Sequence, residues 1–419
     1  MDFSFIFNPV TVKPIYPELA HELHLHTVRM NLHRRERNIV KALGLGLLVA
    51  ASLVPVQAQS QGSEPAFSRD RPLYEMDLRK YGFAPLVSGR RDFLSLDFAD
   101  ANRLVFAWTT ADNPRADKKK GPHRPSHLHA VFLDARTGQE QDIREWPSSS
   151  FYATIYPVRE RKFLICTGNA VRLLSREFDV VHEETPPSST SCLNNQISPS
   201  GRSFSVASGV GADYHATLMD VESFQPLATW SNEAMNVHFT DTFLVGSCRP
   251  DFEVCIRKLG QPWEPFHFAG TDQQMKDSKP KFAVLVNQSA MVIGTAKELA
   301  VVTVEGTLVF PLNLPTKLFA QTTRVSPGGD RFVVLLGRMR GLRNERLDMS
   351  PLVSDDHLVV YSLTERKAIY ALKVKGDSPW PSWTAHDHRN LLALSPDGAL
   401  LALVNDGMLT VYRLPAGKS

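Results

Sequence analysis

The chain has 419 residues, 43% hydrophobic and 22% charged, with 47 Lys and Arg against 44 Asp and Glu. The net charge of +3 lies partly in the basic head over residues 34–41, so the rest is nearly neutral, which argues against general nucleic-acid binding. The length allows two ordinary domains or one large repeat fold, and the apolar content suffices for a buried core.

Residues 1–29 show no sustained hydrophobic period and no glycine-bounded strand pattern, so a non-structured extension ahead of a start at Met30 is expected. From Met30 the pattern changes. Arg34, Arg35, Arg37 and Lys41 form a basic head, residues 42–54 an apolar run, and Val56 and Ala58 the small residues of a signal-peptidase site. The apolar run has about 13 residues, whereas a spanning helix needs about 20. A cleaved secretory signal over 30–58, cut after Ala58, is therefore expected, followed by a linker over 59–70 and a periplasmic or secreted mature chain. Any membrane contact would come through an uncleaved signal segment.

Export makes the four cysteines legible as disulfides. No Cys-x-x-Cys pair marks a zinc site. Cys248 and Cys255 flank a stretch that reads as a hairpin loop, so they are expected to pair, which leaves Cys166 to Cys192.

From residue 71 on, short runs of Val, Leu, Phe and Thr alternate with Gly, Pro, Asn, Asp and Ser, without an amphipathic helix of convincing length; the class is all-β. Residues 73–79 form one lone strand. Seven repeating units then begin near residues 92, 151, 192, 234, 281, 319 and 389, each with an apolar strand, a polar turn and two more strands, and all but the last with a weaker fourth. The turn is Ser198-Pro199-Ser200-Gly201 in the third unit, Ser326-Pro327-Gly328-Gly329 in the sixth and Ser395-Pro396-Asp397-Gly398 in the seventh. The last unit is the plainest. Its three apolar runs over 391–415 are split by that turn and by Asn405-Asp406-Gly407, and Asp-Gly between alternating apolar residues is the strongest short hairpin signal. It lacks a fourth strand, which the lone strand 73–79 is expected to supply. The prediction is one domain over 71–415, a seven-bladed β-propeller of four-stranded antiparallel blades, with its ring closed by the N-terminal strand and with 416–419 as a tail.

The Ser-Pro-x-Gly turn leading into an apolar strand resembles the WD40-like and YVTN-type β-propellers of exported bacterial proteins, over residues 72–415. The motif is explicit in three of seven units, and the Gly-His and Trp-Asp dipeptides of true WD40 repeats are absent.

In such a ring the first strands line a central channel. The hairpins between second and third strands share one face, here the top, with the connections between units. Two long insertions fall there. One, over 110–126, carries Arg115, Lys118, Lys119, Lys120, His123 and Arg124; the other, over 338–356, carries Arg338, Arg340, Arg343 and Arg346, partly neutralised by Glu345, Asp348, Asp355 and Asp356. Trp380 and Trp383, in the connection into the seventh unit, and Tyr214 in the third add aromatic groups suited to stacking on sugars or gripping a peptide. His127 and His129, two apart on a strand, point to one face, and His386 and His388 flank Asp387 in the neighbouring connection, a candidate metal set. Trp146 and Trp230, at unit exits, read as wedges between blades.

No Gly-x-Ser-x-Gly elbow, phosphate loop or Gly-x-Gly-x-x-Gly after a strand is present, and no two carboxylates are framed in apolar strands as an acid/base pair. The reading is a non-catalytic propeller without a cofactor. Its top-face loops would bind a protein or an anionic polymer, and no nucleic acid. The alternative is a metal- or cofactor-dependent propeller enzyme of the lactonase or quinoprotein type, with its site at the channel mouth.

Overall fold

The structure, a computed structural model, describes residues 71–416 except 84–93, 111–125, 149–152, 169, 186–189, 192–195, 209–213, 269–279, 281, 295–298, 313–317, 343–350, 375–391 and 406. The expected extension, signal segment and linker lie outside the described residues.

Strand β1 (Tyr74–Asp77) stands alone at the amino end. Blade 1 comprises β2 (Leu94–Asp100), β3 (Arg103–Thr110), β4 (Ser126–Asp134) and β5 (Glu140–Ser148). Blade 2 comprises β6 (Thr154–Pro157), β7 (Phe163–Cys166), β8 (Val171–Leu174) and β9 (Val180–Glu184). Blade 3 has β10 (Thr190–Ser191), β11 (Ser203–Ser208), β12 (His215–Asp220) and β13 (Pro226–Trp230). Blade 4 has β14 (Ala234–Phe239), β15 (Phe243–Cys248), β16 (Glu253–Lys258) and β17 (Glu264–Pro265). Blade 5 has β18 (Phe282–Leu285), β19 (Ala290–Gly294), β20 (Leu299–Thr303) and β21 (Leu308–Leu312). Blade 6 has β22 (Leu318–Val325), β23 (Arg331–Leu342), β24 (Pro351–Ser362) and β25 (Lys367–Lys373). Blade 7 contributes β26 (Leu392–Leu394), β27 (Leu400–Asn405) and β28 (Met408–Arg413), and its sheet runs β1-β28-β27-β26. The ring is the seven-bladed β-propeller that the repeats predict, closed by the amino-terminal strand.

Closure is antiparallel, with Tyr74 opposite Val411 and Asp77 opposite Met408. The strand is shorter than the expected 73–79 because Asp77 turns the chain. Its carboxylate accepts from the Arg79 backbone N at 2.9 Å and caps a 3-10 turn, Leu78–Tyr81. This local bond competes with ladder pairing and wins. It also delivers Leu78, fully buried, into the core, where its backbone N donates to the Gly407 carbonyl at 2.8 Å.

The described core resolves into seven apolar clusters, one at each seam between neighbouring blades. Strand β3 shows how. Leu104, Phe106 and Trp108 pack toward blade 7, whereas Val105 and Ala107 pack toward blade 2. Successive side chains of a strand point to opposite faces, and here both faces are buried. That is why the middle strands read as unbroken apolar runs instead of an apolar-polar alternation. Trp146 and Trp230 take the expected wedge positions. Trp146 packs at the seam of blades 1 and 2, its ring 6.0 Å from Phe178, and Trp230 is buried at the seam of blades 3 and 4.

The three Ser-Pro-x-Gly turns join first to second strands on the face opposite the top. In each, the serine Oγ accepts from the backbone N five residues on, at 3.1 Å for Ser203, 3.2 Å for Arg331 and 2.9 Å for Leu400. The turn glycines 201, 329 and 398 have φ of 70°, 72° and 66°, which a side chain resists. Adjacent turns also touch: a Cβ on Gly201 would lie 2.7 Å from the Arg159 backbone N, and one on Gly398 would lie 2.6 Å from Arg331 Cδ. Hydrogen bonds continue this rim. Ser200 Oγ donates to Asp241 Oδ1 at 2.6 Å, Gln288 Nε2 to Asp241 Oδ2 at 3.2 Å and Asn287 Nδ2 to the Gly329 carbonyl at 3.3 Å.

Cys248 and Cys255 are disulfide-bonded across the β15–β16 hairpin, with Cα atoms 5.7 Å apart. Cys166 is also in a disulfide; Cys192, its expected partner, lies outside the described residues.

Candidate functional site

The top face is built unevenly. Strands β23 and β24 have twelve residues each, the longest among the described strands. Their inner and outer neighbours stop early: β22 ends its pairing at Leu318 opposite Arg338, and β25 at Lys373 opposite His357. Beyond that level, among the described residues, the two middle strands continue, with Met339 opposite Val353 and Leu342 opposite Pro351. A two-stranded ribbon therefore stands above blade 6. Arg338 lies at its base and Arg340 within it, with Asp355 on the return strand.

In blade 1, His127 and His129 lie near the top of β4, as their spacing predicts, with rings 6.2 Å apart. Both face Glu145 of β5. His129 Nδ1 lies 3.4 Å from Glu145 Oε2, and His127 Nδ1 lies 3.7 Å from Oε1. His129 stacks on Trp108 at 5.3 Å between centroids. Burial holds His129 below the usual imidazole range, with Glu145 pulling the other way. Sequence reasoning missed Glu145. Its signal was cross-strand register, since Glu145 pairs with His129. Among the described residues no group of three or more His, Cys, Asp or Glu stands close enough to hold a metal ion.

Tyr214, read from sequence as a partner-binding residue, is half-buried and packs with Trp230 in the seam of blades 3 and 4. Burial raises its phenol above the ordinary range. Lys118, Lys119, Lys120, Arg124, Arg343, Trp380, Trp383, His386 and His388 lie outside the described residues.

The channel holds a group that the sequence reading passed over. The inner strands β2, β6 and β22 carry Asp97, Tyr156 and Arg324. Burial pushes the Asp97 carboxyl up to about 6, and the Arg324 guanidinium brings it only part of the way back. Burial also lowers Arg324, while Asp97 and Tyr156 favour its charge. The clue was Asp97 standing between Leu96 and Phe98 in an apolar strand. Because Asp97 binds its proton more tightly in the folded ring than in the unfolded chain, ionising it weakens the fold. Stability should thus fall by about 2 kcal/mol as pH rises from about 4 to about 6. Asp97→Asn should flatten that fall. Denaturant midpoints that drop equally in both proteins between these pH values would rule the assignment out.

No family model and no curated protein matches the chain. Among solved structures it is similar to the Neurospora crassa Pan2 WD40 domain, at 10% identity and a TM-score of 0.47, covering 83% of this chain and 96% of that one. It is also similar to BamB from Moraxella catarrhalis, at 14% identity and a TM-score of 0.38, covering 76% and 85%. A third is an oligogalacturonate lyase in complex with manganese, at 11% identity and a TM-score of 0.45, covering 77% and 91%. The likeness is one of fold alone.

Proposed function

We propose that this protein is an exported, non-catalytic β-propeller that captures a protein or an anionic polymer on its top face. The observation that carries the reading is the blade 6 ribbon, in which β23 and β24 carry Arg338 and Arg340 past the last described pairings of β22 and β25. An arginine-bearing ribbon suits a partner that supplies negative charge. The rigid ring, buried on both faces of its blades, would hold such loops with little rearrangement on binding. Export rests on the basic head and apolar run of residues 30–58 and on the turn motif shared with YVTN-type propellers.

The test replaces Lys118, Lys119, Lys120, Arg340 and Arg343 together by Glu in the full chain. Capture of the partner in a pull-down should weaken at least about tenfold, with an unchanged circular-dichroism spectrum and a steeper salt dependence in the parent. A folded variant that retains every partner of the parent would refute the reading.

A further inference from the structure

On the face opposite the ribbon, the closing seam holds a cavity of about 440 Å³. Its charged lining comes from three blades: Arg136 from the β4–β5 turn of blade 1, Arg331 from the start of β23 in blade 6, and Asp397 with Arg413 from blade 7. Leu400 and Leu414 supply an apolar floor.

Arg331 makes this a built feature. It occupies the sixth position of the Ser-Pro-x-Gly unit, where blade 3 has Ser203 and blade 7 has Leu400. It is only 6% exposed, an uncommon placement for a guanidinium. Its Nη1 donates to the Gly398 carbonyl at 2.7 Å, and its stem runs through the space that a Cβ on Gly398 would fill. That carbonyl takes one of the five N–H donors of the guanidinium.

The single carboxylate on the lining is already engaged. Asp397 Oδ1 accepts from Ser395 Oγ at 2.5 Å and from the Ala399 backbone N at 3.0 Å. Burial disfavours its charge, but those hydrogen bonds, with Arg136 nearby, hold its carboxyl below the ordinary range. Among the described residues neither Arg136 nor Arg413 is held in an ion pair, and both are exposed. Three guanidinium groups against one carboxylate leave the cavity two positive charges in excess.

We propose that this cavity is a binding site for a small dianion, a phosphate monoester or a dicarboxylate, held by Arg331 from below and by Arg136 and Arg413 from the sides. Guanidinium forks match the paired oxygens of both groups. The ligand would bridge blades 6, 7 and 1, so it would also clamp the seam where the ring closes. The site is independent of the top face, because none of its residues belongs to the ribbon or the basic insertions.

Calorimetric titration of the full chain at low salt, with inorganic phosphate and separately with succinate, tests it. Saturable binding of at least one anion is expected, and which one binds tells phosphate from dicarboxylate chemistry. The exposed double variant Arg136→Ala/Arg413→Ala should keep its melting temperature and bind at least about tenfold more weakly. Arg331→Leu, which restores the residue type found in blade 7, should abolish binding; should it fail to fold, the exposed pair still decides. Absence of saturable binding for both anions, or a folded double variant that binds like the parent, would overturn the proposal.

Discussion

A chain lacking residues 71–83 is expected to lose the cooperative unfolding transition and to self-associate. Two effects add. First, Leu78 and Phe83 leave the seam of blades 7 and 1, where both are at most 3% exposed. Phe83 meets Phe106 edge-on at 5.1 Å between ring centroids and Trp108 at 6.1 Å. Burying each such side chain stabilises the fold by about 2–3 kcal/mol. Second, β28 loses its partner strand along Met408–Val411, and an open apolar edge is a template for pairing with another chain. Against a total stability of about 5–15 kcal/mol, losses of this size remove most of the margin. Leu78→Ala isolates the packing part and should cost about 3 kcal/mol. Denaturant titration by tryptophan fluorescence and size-exclusion chromatography read both effects. A truncated monomer with the parent's midpoint would mean that the closing strand is dispensable.

Gly201→Ala is expected to cost about 3 kcal/mol, and Gly82→Ala only about 1 kcal/mol. Both glycines have positive φ, 70° and 85°, so both substitutions carry the left-handed penalty of an L-residue. Their surroundings differ. A Cβ at Gly82 meets nothing within 4 Å, whereas one at Gly201 falls 2.7 Å from the Arg159 backbone N and 3.2 Å from the Val158 carbonyl carbon. Backbone atoms cannot rotate aside as a long side chain would, so blades 2 and 3 must separate locally. Urea midpoints of the two variants give the comparison. Equal shifts would show that conformation alone, and not contact between neighbouring turns, sets the demand for glycine.

These two expectations separate what the chain encodes locally from what the ring imposes. Blade count and closure were legible because their signals are short. Asp406-Gly407 between apolar runs calls for a hairpin, and the structure pairs Asn405 with Met408 around it, with Gly407 at φ 79°. The Ser-Pro-x-Gly unit carries its own hydrogen bonds within six residues. A last repeat with three strands needs a fourth, and the lone strand before the first repeat is the strand left over. Cys248 and Cys255, flanking one hairpin, are likewise a local statement.

Beyond the wedges Trp146 and Trp230, the seams were not legible. Which blade face a residue meets depends on strands that lie one repeat or a whole ring away, and alternation along a strand with two buried faces leaves no polar side to mark the difference. So the sequence showed Tyr214 as a loop aromatic, while the fold tucks it beside Trp230. It showed two histidines two apart, while cross-strand register adds Glu145. The lone strand was readable as far as its pattern ran, but the capping bond of Asp77 shortened it and sent Leu78 inward. Asp97 and Arg324 come from blades 1 and 6, and Arg136, Arg331 and Arg413 from blades 1, 6 and 7. No spacing rule joins them, because only closing the ring brings the first and last blades together. Turn chemistry and strand period, each written in about ten residues, determined the architecture; the neighbours across each seam, and with them the charged groups of the channel and the cavity, were decided by tertiary structure.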